Sequence, residues 1–96
     1  MPHEIKLLGN VPAELRGLRA YDRQRILDDI ESHLRHEPTV ETRNRKPLLG
    51  LTPSFEHVPP VWELRVGEFR VFYDVDSAAQ VVAVRAVRRK KPGQTT

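Results

Sequence analysis

The sequence has 96 residues, the length of one small domain, and we therefore treat residues 1–96 as a single domain. It has no cysteine, which excludes disulfide bonds and thiolate chemistry. No apolar run approaches the roughly 20 residues needed to span a bilayer, and the first ten residues lack the apolar core of a signal peptide, so we expect a cytoplasmic protein without membrane contact.

The first half of the chain predicts a short strand followed by helix. His3–Leu8 alternates in polarity, which is typical of a strand. Asn10 suits a helix cap and Pro12 suits the first turn of the helix. We expect one kinked helix or a helical hairpin over residues 12–36, with Asp22 as the cap of its second segment. Its apolar residues recur at helical spacing: Leu15, Leu18, Ile26, Leu27, Ile30 and Leu34.

The second half predicts a long loop and then a meander of strands. Residues 39–60 are rich in proline and have no periodicity, which indicates an irregular loop. Three segments then alternate in polarity: Val61–Val66, Phe69–Val75 and Val81–Val87. The order β-α(α)-β-β-β predicts an α+β fold in which an antiparallel sheet packs on N-terminal helices.

The two faces of the predicted meander differ in polarity. Apolar side chains occupy one face: Trp62, Leu64, Val66, Phe69, Val71, Tyr73 and Val75. The opposite face carries Glu63, Arg65, Arg70, Phe72 and Asp74. If helices cover the apolar face, Arg65 and Arg70 lie on an open face. They form there either a solvated pair with nearby acids or a phosphate-binding platform with Phe72 as a stacking surface. Alternation alone assigns no face to Arg85.

Basic residues are concentrated towards the C-terminus, where residues 78–96 contain five lysines and arginines and no acid. Either this is a solubilising surface or it contacts a polyanion. The candidate RNA-binding residues are Arg43, Arg45, Lys46, Phe72, Arg88, Arg89 and Lys91. No histidine and carboxylate cluster has the spacing of metal ligands, and no glycine-rich phosphate loop is present, so we predict neither a metal nor a cofactor.

The stretch "LRVGEFRVFY" resembles the signature hairpin of the RelE/ParE toxins of bacterial type II toxin–antitoxin systems. "VVAVRAVRRKK" resembles their last strand, and the helical region and "ETRNRKPL" also fit. The resemblance covers about Leu15 to Lys91. It implies a RelE-like fold, related to microbial ribonucleases, in which a twisted antiparallel sheet packs on two N-terminal helices.

The resemblance also implies a choice of activities. RelE-type members cleave mRNA in the ribosomal A site without a metal, whereas ParE-type members inhibit DNA gyrase. Both are neutralised by an antitoxin encoded next to them, and the complex often binds its own promoter. We therefore expect a translation-blocking mRNA endonuclease whose partners are a cognate antitoxin, mRNA and the ribosome, with operator DNA bound by the complex. The alternatives are a gyrase inhibitor and a catalytically weak relative that acts as an antitoxin-binding co-repressor.

The resemblance assigns roles to particular residues. Arg70 matches the arginine that contacts the scissile phosphate in ribonuclease members, and Lys90 best matches their basic residue beyond the last strand. Arg65 would stabilise the same phosphate. Glu63 is a candidate general base, or else an ion-pair partner of the two arginines. The chain departs from the family at Val61 and Glu63, where RelE has lysines, and "PGQTT" lacks the terminal tyrosine or histidine of other members.

Overall fold

The computed structural model describes residues 2–50 and 52–90. Within them the chain forms two helices and five strands. Their order is β1 (Glu4–Leu7), α1 (Val11–Arg16), α2 (Ala20–Leu34), β2 (Arg45–Pro47), β3 (Trp62–Val66), β4 (Phe69–Asp76) and β5 (Val81–Arg89). The α+β class and the strand, helix and meander order predicted from the sequence are confirmed.

The five strands form one sheet in the order β1-β5-β4-β3-β2. The meander β3-β4-β5 is antiparallel, as alternation and tight turns predict, and the edge strand β2 also pairs antiparallel with β3. Strand β1 instead pairs parallel with β5, with Glu4 opposite Val81. The sheet is therefore mixed rather than wholly antiparallel; β1 and β5 are joined by a long connection, so no tight turn makes them antiparallel.

The helical region is a hairpin of two separate helices. Pro12 lies in the first turn of α1, as expected, and Asn10 takes the N-cap position. The prediction that Asp22 caps the second helix is wrong, because α2 begins at Ala20 after Arg19. Asp22 lies inside the first turn, where it accepts a hydrogen bond from Arg19 Nε at 3.0 Å. This hydrogen bond holds the pKa of Asp22 below its ordinary value.

The core lies between the helices and one face of the sheet. Helix α2 contributes the periodic residues Ile26, Ile30 and Leu34, all nearly or fully buried. The strands contribute the apolar face predicted from alternation, including Trp62, Leu64, Val66, Phe69, Val71 and Tyr73. The Tyr73 hydroxyl donates to the Pro38 carbonyl, which satisfies the only polar atom of its side chain. Burial raises the pKa of Tyr73.

A register shift in β5 explains why alternation could not orient the last strand. Phe72 pairs with Ala86 but Tyr73 pairs with Val84, so Arg85 has no Cα partner on β4. This bulge returns Val87 to the core face. It also places Arg85 on the opposite face, where it reaches Asp74.

The stretch between α2 and β3 is less irregular than the sequence predicted. Arg45–Pro47 forms β2, which pairs with Trp62–Leu64 of β3. The remaining residues 48–50 and 52–60, which we call the covering loop, reach the sheet face opposite the helices through Phe55 and Val58. The Leu48 N–H donates to the Val61 carbonyl at 2.8 Å, which starts the loop beside β3.

Candidate functional site

Three arginines lie side by side across three strands on the face opposite the helices. Arg65 is the cross-strand partner of Arg70, and Arg70 is the partner of Arg88. Directly opposed residues have Cβ atoms about 5 Å apart, so three guanidinium groups extend from one line. We call this line the arginine row. Its side chains are 37%, 18% and 49% exposed for Arg65, Arg70 and Arg88.

Glu63 lies at the base of the row and is almost completely buried, with a side chain that is 1% exposed. Its Oε1 accepts from Arg65 Nε at 3.1 Å, and its Oε2 lies 3.9 Å from Arg70 Nη1. Glu63 therefore pairs with both arginines, which was one of the two roles that the sequence left open. Oε2 is buried and has no hydrogen-bond partner among the residues that the structure describes.

The covering loop lies over part of this face. The Phe55 ring packs on Phe72 with centroids 5.6 Å apart and ring planes tilted by 42°. His57 contacts the edge of Phe55, and its Nδ1 lies 2.9 Å from the Phe55 carbonyl oxygen. The expectation of an open face is therefore wrong for its centre: Phe72 is partly covered by a residue of its own chain.

A buried ion pair fixes the covering loop to the sheet. Asp74 accepts from Arg85 Nε at 2.9 Å and from Nη2 at 3.3 Å. The same carboxylate accepts the Val58 N–H at 2.9 Å, so one side chain holds both the bulge of β5 and the loop. Asp74 was predicted on this face, but nothing in the sequence indicated its partners.

Helix α1 contacts the far end of the arginine row. Glu14 accepts the Val87 N–H at 2.9 Å and also pairs with Arg88. Arg88 and Glu14 both line a cleft of about 480 Å³, whose lining also includes Asn10, Phe55 and Arg85. Sequence reasoning did not identify Glu14, because its role depends on α1 lying beside the end of β5.

The other predicted RNA-binding residues differ in their exposure and in the face on which they lie. Arg45 is not available to a polyanion: it is 6% exposed and donates to the His33 carbonyl at the end of α2. Strand β2 turns its side chain to the helix side, which corrects the prediction. Lys46 lies opposite Glu63, on the strand next to the row, and is half-buried. Arg43 is exposed in the preceding loop.

The basic residues at the end of β5 also lie in different places. Arg89 lies on the opposite side of the strand from Arg88, over the Phe69 ring at 4.7 Å, and pairs with Glu68. Lys90 is exposed, and it borders a small cleft with Arg65 and Arg70, so it remains close to the row. Lys91 lies outside the described residues.

A second cleft, of about 240 Å³, opens where the covering loop meets the row. Its lining is mostly apolar and combines Leu48, Thr52, Pro53, Phe55, Glu63, Arg70 and Phe72. Within residues 2–50 and 52–90, no group of three histidine, aspartate or glutamate side chains is placed to hold a metal ion. Neither helix there has the length and apolarity that crossing a membrane requires.

Comparison with known proteins identifies the fold. No protein-family model matches the chain, and no curated protein gives a significant match. Among solved structures, the chain matches one from the archaeal RelE–RelB complex of Pyrococcus horikoshii with a TM-score of 0.70 and 22% identity, over 97% of this chain and 100% of the other. It also matches a chain from the toxin–antitoxin complex RelBE2 of Mycobacterium tuberculosis with a TM-score of 0.68 and 18% identity, over 94% and 100%.

These matches extend over nearly the whole of both chains, so the chain has the fold found in RelE–RelB complexes. The RelE-like fold expected from the hairpin "LRVGEFRVFY" is thereby confirmed. At 18–22% identity the likeness concerns the fold and does not by itself define an activity.

Proposed function

We propose that this protein is the toxin of a type II toxin–antitoxin pair and blocks translation by cleaving mRNA on the ribosome. The observation that carries the proposal is the arginine row, three neighbouring guanidinium groups on one sheet face. Guanidinium remains charged at all physiological pH values and grips phosphate bidentately, which suits a charge that develops on a scissile phosphate.

The surroundings of the row support a polyanionic ligand. Arg65 and Arg70 both pair with the carboxylate of Glu63, which holds two guanidinium groups side by side on this face. Lys90 borders the cleft formed by the same two arginines. We assign phosphate contacts to Arg70 and Arg65, with Lys90 and Arg88 at the two flanks. The role of Glu63 as a general base remains a prediction.

The solved neighbours support a protein partner. One comes from an archaeal RelE–RelB complex, and the other comes from RelBE2, which is a toxin–antitoxin complex. We therefore propose a cognate antitoxin for this chain and binding of operator DNA by the resulting complex. A long, charged sheet face that pairs its arginines with its own acids is compatible with such a partner, because an antitoxin carboxylate would compete for the same guanidinium groups.

The test is expression of the chain in bacteria from a tightly repressed promoter, alongside Arg70→Gln. Arg16→Gln is the matched control, since it removes one exposed arginine at the end of α1 that is not part of the arginine row. Labelled amino acid, uridine and thymidine incorporation are followed after induction, and mRNA ends are mapped.

We expect protein synthesis to stop first with the wild type and with Arg16→Gln, but not with Arg70→Gln, and new 5′ ends to appear within coding regions. If mRNA stays intact while translation stops, the endonuclease proposal is wrong. If thymidine incorporation stops first, the gyrase alternative replaces it. If no synthesis is affected, the co-repressor alternative is favoured.

A further inference from the structure

The cleft between the covering loop and the arginine row contains a buried acceptor with no donor. Glu63 is nearly fully enclosed, and its Oε2 has no hydrogen-bond partner among the described residues. A buried carboxylate oxygen without a donor loses its hydration and gains no hydrogen bond in return, and so such atoms are rare in native proteins. The Arg70 Nη1 atom is 3.9 Å from this oxygen, which is beyond hydrogen-bond distance.

The walls of this cleft are aromatic and apolar. Phe55 and Phe72 contribute ring surfaces, and Leu48 and Pro53 complete the apolar lining. Flat rings beside a charged row are the features on which nucleic acid bases stack in single-strand binding proteins. A volume of about 240 Å³ accommodates one base.

We propose that this cleft, the ring slot, binds one base of a single-stranded RNA and selects bases with an exocyclic amine. The inference rests on the proposed function and names the substrate feature that the same site recognises. A carboxylate accepts but does not donate, so Glu63 Oε2 requires an N–H donor. Arg70, which also lines the slot, holds the adjoining phosphate, which places the base against the rings of Phe55 and Phe72.

The four bases differ in the N–H donors that they can offer to Glu63 Oε2. Cytosine, adenine and guanine present an amine on the edge that remains exposed when a base is stacked, and cytosine N4 is a known partner of carboxylates. The edge N–H of uracil lies between two carbonyl oxygens, which a carboxylate repels. The ring slot therefore accepts cytosine in preference to uracil, two pyrimidines of nearly the same shape.

The experiment is a titration of the full chain with cytidine 5′-monophosphate and with uridine 5′-monophosphate, followed by backbone amide shifts and calorimetry. We expect cytidine monophosphate to bind about tenfold more tightly, the value of one hydrogen bond to a charged group. Glu63→Gln should bring the ratio of the two dissociation constants close to one, since an amide both donates and accepts.

Phe55→Ala is the second variant, and it alters a loop residue rather than the sheet. It should weaken both nucleotides by roughly fivefold or more without changing their ratio, because it removes a stacking surface. Circular dichroism confirms that each variant is folded. If Glu63→Gln does not fold, the affinity of Phe55→Ala decides.

Four results would overturn the ring slot. They are equal affinity of the wild type for the two nucleotides, an unchanged ratio in folded Glu63→Gln, unchanged affinity in Phe55→Ala, and no binding of the two nucleotides to the wild type. These outcomes are separate from those of the proposed function. Toxicity that depends on Arg70 without base discrimination would remove only the slot, and discrimination without toxicity would remove only the activity.

Discussion

Replacing Asp74 tests how the covering loop is held on the sheet. This carboxylate is 5% exposed and accepts three hydrogen bonds, two from the Arg85 guanidinium and one from the Val58 N–H. Arg85 is itself only 15% exposed. The variant Asp74→Ala would leave a largely buried cation without its counterion and a loop N–H without its acceptor.

The expected cost is large for a domain of this size. Removing one partner of a buried ion pair typically costs about 3–5 kcal/mol, since the other charge stays desolvated. A domain of this kind is stable by about 5–15 kcal/mol in total. Asp74→Asn should cost less, about 1–3 kcal/mol, because the amide oxygen still accepts from Val58 while the charge is lost.

The assay is urea unfolding of the wild type, Asp74→Ala, Arg85→Met and the double variant, with the free energy of unfolding taken from each midpoint and slope. The double variant removes the unpaired charge that each single variant leaves behind. We therefore expect it to be more stable than the sum of the single changes predicts, by about 2 kcal/mol or more.

Additive single effects would refute this reasoning, as would a loss below about 1 kcal/mol in Asp74→Ala. Either result would mean that water or a rearranged loop replaces the ion pair at little cost. Hydrogen exchange at the Val58 amide gives an independent check, because loss of its acceptor should speed exchange in Asp74→Ala but not in Asp74→Asn.

Further predictions concern three buried or paired groups, Tyr73, Asp22 and Arg45. Tyr73→Phe should lower the free energy of unfolding by about 1–3 kcal/mol at neutral pH, because the Pro38 carbonyl loses its donor. Burial raises the pKa of Tyr73, so the wild type should lose stability as the pH rises above about 10. Tyr73→Phe should lose less stability over the same range, and measurements of the free energy of unfolding at alkaline pH check this. Arg19 lowers the pKa of Asp22, so the stability that this pair contributes is present above about pH 4 and is lost on acidification. In Asp22→Asn the free energy of unfolding should therefore fall less as the pH is lowered, and an unchanged pH dependence would contradict this prediction. Arg45→Met should reduce stability by roughly 1–2 kcal/mol yet leave toxicity and RNA affinity unchanged, whereas a loss of RNA affinity in this variant would return Arg45 to the binding surface.

The candidate site was partly predictable, and particular residues explain why. Alternation in β3 and β4 placed Glu63, Arg65, Arg70 and Phe72 on one face, because neighbouring residues of a strand point to opposite sides. Arg45 was misplaced, since a three-residue strand inside a proline-rich stretch gives no periodic signal. Arg85 and Arg88 could be assigned only after the bulge between Phe72 and Tyr73 was seen.

The sequence by itself determined the local elements, the polarity of the two sheet faces and the hairpin that resembles RelE/ParE toxins. These properties depend on residues near each other in the chain, whose spacing directly fixes which side they share. Only the tertiary structure decided the parallel pairing of β1, the contact of Glu14 with Arg88 and the packing of Phe55 on Phe72. Those contacts join residues 17 to 77 positions apart, and their formation depends on the collective packing of the core rather than on any local pattern.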